Sequence, residues 1–316
     1  MAGLRPRPGD ATLEGPTAGG DGPLRIAIFG DVHGHLTLAY RLVKRWERET
    51  GAPIDLILQV GDLGAYPPPF RIDKATKRFA ERDPDELGFA TYFEGGAEAE
   101  EVLGPDAPAA RRVAAPLVFI RGNHEDFVFL AELAAGGDPL PAADPYAKIL
   151  YLPNGRRFTF RRGPHALSVG ALGGISTEGG GPGDDPVSPF YTAGEVRRLR
   201  AAGPLDVLLS HEPPRGAAAP LHPRYADGGS RDVASLVRDG APRFHFCGHY
   251  HEPGGRLVAP AGTESYQLNA VNFLRPHALN PGCFGLLIWA GPDEATFSLV
   301  DAPWVAEYTR STFRHL

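Results

Sequence analysis

The chain has 316 residues, a formal net charge of −6, 42% apolar and 22% charged residues, and two cysteines, Cys247 and Cys283. That length suits one large α/β domain, and two cysteines are too few for a secreted disulfide scaffold. The negative charge argues against a general nucleic-acid coat protein while leaving room for a local basic groove. With no apolar run of 18 residues and no charged leader ahead of an apolar stretch, no membrane partner is expected and the expected compartment is the cytoplasm.

Residues 1–23 are rich in Gly, Pro and Ala without apolar periodicity, which predicts a flexible leader ahead of a single domain over 24–316. Residues 24–29 are a short apolar run ending at Gly30, the pattern of a buried strand. Leu38, Leu42, Val43 and Trp46 recur at helical spacing across 38–49, and 54–60 reads as a second strand. Strand, helix and strand at this length predict a βαβ unit with parallel pairing. Residues 66–115 then interrupt the pattern. Tyr66-Pro67-Pro68-Pro69-Phe70 breaks any regular element, and two helical stretches near 72–82 and 96–103 flank Phe89-Ala90-Thr91-Tyr92-Phe93. This insertion reads either as a cover over the ligand-binding face or as a surface excursion.

A third strand is predicted at 117–120, with shorter ones at 146–151, 157–160 and 166–169. A helix follows at 195–202 and a buried strand at 205–209. Residues 213–230 are a Pro and Gly-rich loop, 231–239 a helix and 244–247 a strand. The remaining strands, at 256–260, 265–269, 283–289 and 295–300, are expected to be antiparallel. No internal repeat and no Gly-rich nucleotide loop of the Walker or Rossmann type is present.

Polar residues of metal-ligand type stand just after five of these strands, where open α/β sheets bind ligands. Asp31-Val32-His33 follows the first; in extended chain, residues i and i+2 point the same way, so carboxylate and imidazole reach one ion. Gly61-Asp62 follows the second, and a carboxylate has two oxygens with which to bridge two ions about 3.5–4 Å apart. Gly122-Asn123-His124-Glu125 follows the third and offers a neutral carbonyl oxygen. Ser210-His211-Glu212 offers one imidazole, and Gly248-His249-Tyr250-His251 offers two on one side. Each motif alone is matched by ordinary caps, turns and structural histidines; the joint placement is what carries the signal. His165, His222, His245 and His277 lack that context and read as structural or surface residues.

This set, in this order, resembles the calcineurin-like metallophosphoesterase superfamily, whose pattern is D-x-H, G-D, G-N-H-[DE], a lone H and G-H-x-H. The resemblance spans roughly residues 24–300. It implies an α/β fold, a four-layer α/β/β/α sandwich, and two divalent transition-metal ions. Asp31, His33, Asp62 and His251 would hold one ion; Asp62, Asn123, His211 and His249 would hold the other, with Asp62 bridging. Nitrogen-rich ligation suits Mn, taken first, or Fe, Zn, Co or Ni. The implied chemistry is attack on phosphorus by a hydroxide bridging the metals, with His124 as general acid. Arg121 is either a phosphate clasp or a solvated strand-end residue.

Protein phosphatases and diadenosine tetraphosphatases of this superfamily extend the second motif as G-D-x-V-D-R-G. Here Gly61-Asp62-Leu63-Gly64-Ala65-Tyr66 lacks the second Asp, which orients the catalytic His, and lacks the Arg. Residues 89–95, 172–176 and 209–216 are similar instead to stretches of the RNA lariat debranching enzymes, many of which carry Cys where Asp31 stands. The expectation is therefore a phosphodiesterase on a nucleotide-like or nucleic-acid substrate. The alternatives are a phosphomonoesterase and a non-catalytic scaffold; the full ligand set speaks against the scaffold. Tyr66, Phe70, Tyr92, Phe93 and Tyr250 would either stack a base or pack the insertion.

Overall fold

The structure, a computed structural model, describes residues 10–15, 20–177, 185–218, 221–222, 227–273 and 278–316. Two sheets face each other. In the first, β2 (Leu24–Phe29), β3 (Leu56–Gln59), β4 (Leu117–Phe119) and β5 (Ile149–Tyr151) run parallel. Beyond β2 lie two antiparallel strands, β12 (Phe284–Gly291) and β13 (Glu294–Leu299). The second sheet has the order β1 (Ala11–Glu14), β6 (Arg157–Arg162), β7 (His165–Leu172), β8 (Val207–Ser210), β9 (Phe244–Cys247), β11 (Glu264–Gln267) and β10 (Gly255–Arg256).

Strand alternation makes the layers. Along β2, Ile26 and Ile28 point into a core shared with Leu56, Leu58, Phe158, Val169, Leu209 and Phe246 from both sheets. Ala27 and Phe29 point the other way and pack with Leu36, Leu38, Leu42 and Val43 of α1 (Leu36–Thr50). On the far side, Leu172 and Leu208 meet Val196 and Leu199 of α6 (Ala193–Ala201) and Val233 and Leu236 of α7 (Arg231–Gly240). A strand apolar on both faces must be covered on both, and the result is the expected four-layer α/β/β/α sandwich. The helices are closed by local chemistry: a Thr192–Glu195 capping box on α6, Ser230 on α7, and Gly51 in left-handed conformation ending α1.

Several expectations change. The predicted leader contains a strand: Ala11–Glu14 pairs in parallel with Phe158–Arg161, and Arg157 is tied to Asp10 at 2.7 Å. Composition hid this because four residues on a sheet edge carry little pattern of their own; residues 1–9 and 16–19 lie outside the described residues. The late strands are not all antiparallel. β11 runs parallel to β9, since the intervening 248–263 is long enough for the crossover that parallel pairing needs. A helix, α5 (Phe127–Ala135), follows the third motif directly; it is apolar nearly all round, so it lacks helical periodicity, and only the Asp126 cap marks it. Inside 66–115 stand α2 (Lys74–Ala80), a 3-10 turn at Pro84–Leu87, α3 (Phe89–Phe93) and α4 (Ala97–Leu103). Tyr66 and Tyr92 are buried, and Phe93 packs edge-on to Phe129, so most of the candidate stacking aromatics serve as packing; Phe70 is the exposed one. Cys247 and Cys283 are both free and buried. Among the described residues, no helix is long and apolar enough to cross a membrane.

His165 and His245 are structural, as expected; His277 lies outside the described residues. The hydroxyl of Ser210 donates to Glu212 O, so its oxygen accepts from His245 Nε2 at 2.8 Å, and His245 Nδ1 accepts from Ser265 Oγ at 2.7 Å. Burial pushes its pKa down to about 3, so the ring is neutral, with its hydrogen on Nε2 and a lone pair on Nδ1. The folded state thus refuses a proton that the unfolded state accepts below about 6.5. The contribution of His245 is complete above that pH and falls by about 1.4 kcal/mol per unit as pH drops toward 3. His245→Gln should flatten the decline of stability between pH 6 and 4 in urea titrations. Parallel declines for wild type and variant would contradict a buried neutral His245.

Candidate metal centre

The carboxyl ends of β2, β3, β4, β8 and β9 come to one edge of the two sheets, and the five motifs meet there. Backbone bonds lock the loops together. Val32 N and His33 N donate to Asp62 O at 2.9 and 2.8 Å, Gly34 N donates to Leu63 O, and Gly248 N donates to His211 O. The Glu125 carboxylate accepts from Leu63 N, Ala65 N and Gly122 N, tying the second loop to the third. Burial and the nearby Asp62 push its pKa up to about 8 against those three donors.

Asp31, His33, Asp62 and His251 form one group whose ligand atoms all lie within 4.8 Å of one another. Asp31 Oδ2 is 2.8 Å from His251 Nε2, which faces His33 Nε2 at 3.1 Å; His33 Nε2 is 3.8 Å from Asp62 Oδ2. On the other side of Asp62, His211 Nε2 lies 3.4 Å from Oδ2 and 2.9 Å from Asn123 Oδ1. The His249 ring stands 5.0 Å from that of His211, centroid to centroid. Asp62 Oδ1 meanwhile accepts from Asn123 N and His124 N at 2.6 and 2.7 Å. Asp62 therefore has ligand-type atoms of both sets within 4 Å of one oxygen.

The backbone is strained to achieve this. Six non-glycine residues among those described have positive φ, and four of them are His33 (43°), Asp62 (54°), His249 (74°) and His251 (50°). Asp31 and His33 come together with His33 left-handed, and His249 and His251 are both left-handed, so neither pair is the extended i, i+2 alternation that was expected. Glycine is required where the carboxylates come close: a Cβ on Gly122 would lie 2.0 Å from Asp62 Oδ1, and one on Gly248 2.1 Å from Asp31 Oδ1.

The donor chemistry fits a cation. His211 Nδ1 lies 3.0 Å from Val60 O, which only accepts, so Nδ1 carries the proton and a neutral ring turns an Nε2 lone pair toward two oxygens. Without metal, such a site needs protons. Burial opposes charging His211, yet Asp62 lifts it to about 9. Burial would raise Asp31 and Asp62, yet the neighbouring imidazoles hold both below the usual carboxylate range. His33 and His249 are pushed down by burial to about 4 and stay neutral. Buried carboxylates against neutral imidazoles call for positive charge, which a metal supplies. A second acidic group, His35, Asp83 and Asp85, is already neutralised, by Arg310 on Asp83 and Arg314 on Asp85.

One placement differs from expectation. Arg121 is not brought into the cluster. Its guanidinium is buried and bonds Phe190 O at 2.8 Å, Pro186 O at 3.3 Å and Glu195 at 3.2 Å. The backbone at the end of β4 pairs with the 173–174 loop and turns the side chain toward α6, so it is neither clasp nor solvated. His124, in contrast, stands with its ring 5.9 Å from that of His33, and its Nδ1 meets Asp73 Oδ2 at 3.0 Å. Burial lowers the pKa of His124, but Asp73 and Asp62 together raise it to about 9. Asp73 belongs to no motif; in the sequence it carries only the signal of a helix cap before α2.

The sequence model of the family described as calcineurin-like phosphoesterase matches residues 24–253. Two lariat debranching enzymes are similar to this chain. That of Caenorhabditis elegans is 23% identical over 327 residues, covering 88% of this chain and 57% of that protein. That of Arabidopsis thaliana is 26% identical over 263 residues, covering 72% and 54%. The chain thus spans little more than half the length of the curated relatives it matches. One solved structure superposes with a TM-score of 0.52 at 15% identity, covering 88% of this chain and all of that one, a likeness of fold alone.

A bound divalent cation should stabilise a site of this composition. At a hundredfold excess over Kd, Mn should add about 2.7 kcal/mol, a rise of several degrees in Tm. His211→Ala should remove most of that rise. No shift in differential scanning calorimetry with Mn, Fe, Zn, Co or Ni would count against a metal centre here.

Proposed function

The chain belongs to the calcineurin-like phosphoesterase family, and on that premise we propose that it is a dinuclear metal-dependent phosphodiesterase acting on a nucleotide-like or nucleic-acid substrate. The observation that carries this reading is the position of Asp62. One of its oxygens lies 3.8 Å from His33 Nε2 and 3.4 Å from His211 Nε2; His33 is grouped with Asp31 and His251, and His211 Nε2 meets Asn123. In this reading Asp31, His33, Asp62 and His251 hold one ion, and Asp62, Asn123, His211 and His249 the other. Manganese is the first candidate by donor type. When bound, two such ions supply a nucleophile from water near neutral pH and neutralise charge on the phosphoryl oxygens.

The protein's own residues do the rest. Asp62 Oδ1, fixed by two backbone N–H groups, keeps its carboxylate from rotating, so the two donor sets stay in register. His124, beside the cluster and half-buried, gives a proton to the departing alcohol. No substrate contact is assigned to Arg121. The similarity to lariat debranching enzymes supports a nucleic-acid phosphodiester as substrate class.

Phosphomonoester hydrolysis is the second reading, and one observation favours it. The carboxylate missing from the second motif has an equivalent in Asp73, so the absence of that motif Asp no longer argues against the phosphatase branch. Turnover of bis-p-nitrophenyl phosphate and p-nitrophenyl phosphate with equal Mn separates the two: the diester should be preferred, and a clear monoester preference would reverse the order. Asp62→Asn should lower both metal occupancy and rate. His124→Ala should keep the metal, by elemental analysis, while lowering kcat roughly 10²–10⁴-fold on substrates with alcohol leaving groups. Loss of metal in His124→Ala would make it a ligand and not an acid.

A further inference from the structure

We infer that Asp73, supplied by the inserted segment and outside every motif, is the positioning residue that orients His124 for proton transfer. The inference rests on the phosphoesterase reading above and assigns one more of its working parts. Asp73 follows Asp62 by eleven residues, whereas the orienting Asp of the phosphatase pattern follows by three, so no alignment of that motif would find it.

The geometry is specific. Asp73 divides its carboxylate between two tasks. Oδ1 caps α2, accepting from Ala75 N at 2.7 Å and Thr76 N at 3.1 Å. Oδ2 accepts from Tyr66 Oη at 2.8 Å, from Thr76 Oγ1 at 2.6 Å, and from His124 Nδ1 at 3.0 Å. A helix cap alone needs only the first task. Tyr66, buried in the loop that continues from Asp62, holds Oδ2 through its hydroxyl. Two residues beyond His124, Asp126 accepts from Arg71 Nε through both its oxygens at 3.0 and 2.9 Å. Residues 71–76 are thus tied to the second loop through Tyr66 and to the third through Asp126, and the one oxygen offered to His124 is held by two hydroxyls.

An ionised carboxylate only accepts, so the His124 Nδ1 position must carry a hydrogen. That leaves Nε2 as the atom that exchanges a proton with substrate. In the hydrolytic step, hydroxide oxygen forms a bond to phosphorus and the P–O bond to the alcohol breaks. The electron pair stays on the alcohol oxygen, which takes the Nε2 proton of the imidazolium. The products are a monoester monoanion, the alcohol, and neutral His124 with its remaining hydrogen on Nδ1, still bonded to Asp73. Asp73 touches no substrate; it fixes the ring and its tautomer, as an orienting carboxylate does for other catalytic histidines.

The test uses Asp73→Asn in the full Mn-loaded chain, since Asn still caps a helix. Diesters with a p-nitrophenolate leaving group, which departs without a proton, are compared with dinucleotides, whose alcohol needs one. The expected result is a kcat lower by roughly 10–100-fold on dinucleotides, within the range for general acid catalysis. KM should stay within about twofold, metal content should be unchanged, and p-nitrophenolate release should be nearly normal. Tyr66→Phe should give a smaller defect of the same pattern. A second readout is free of turnover: nitrogen-detected histidine NMR of the Zn-loaded protein should show His124 protonated at Nδ1, and Asp73→Ala should lose that signature. Equal slowing on both leaving groups, loss of metal, or an unchanged NMR tautomer would overturn the assignment. A wild type that turns over no diester with any divalent metal, yet shows the Asp73-dependent tautomer, would overturn the phosphodiesterase reading while leaving the Asp73–His124 contact established.

Discussion

The Asp62 carboxylate sits where the loops of both sheets meet, and its placement is an exercise in satisfying a buried charge. It is 1% exposed, its backbone is left-handed, and among the described residues no lysine or arginine pairs with it. One oxygen is held by two amides of the third loop, and its backbone carbonyl by two amides of the first. The other oxygen faces imidazole nitrogens from the first and fourth loops. Everything else at the site follows from keeping that charge in place: the glycines that let the third and fifth loops approach, the buried Glu125 that clamps the second and third, and the Nδ1 bond that fixes His211.

That arrangement needs the four-layer architecture. Each motif belongs to a strand whose carboxyl end reaches the same edge, and the central strands of both sheets run parallel. Parallel strands buried on both faces are rigid in register, because a slip of one residue would exchange the faces of Ile28 and Phe29. The apolar layer between the sheets therefore sets the distance between Asp31 and Asp62 on one sheet and His211 and His249 on the other. Packing and ligation are in this sense one problem.

Among the strands with ligands at their ends, β2 and β9 coincide with their predicted bounds, because an apolar run stops abruptly at a glycine followed by polar donors, whereas β3, β4 and β8 differ from theirs by one or two residues. The ligand pairs were legible as residues but not as geometry, since the turn at His33 and at His251 is left-handed and nothing local announces it. Arg121 was misread because its direction is set by the 173–174 loop and α6, remote in sequence. The short edge strand β1 and the apolar helix α5 were missed for opposite reasons, too little pattern in one and too uniform a pattern in the other. Asp73 was not singled out, since the helix it caps was placed from near residue 72 and its histidine partner lies 51 residues away.

The anchoring of residues 71–76 divides the centre into two parts of different origin. The metal-ligand candidates come from strand ends that the core fixes, where even a methyl group on Gly122 or Gly248 would collide. The carboxylate that addresses His124 comes from an excursion between strands, the kind of segment that accepts substitution and rearrangement. Descendants of such a fold have two separate dials. One, the metal cage, resists drift. The other can be reset by exchanging a surface segment, altering which leaving groups are tolerated while the cage beneath is inherited unchanged.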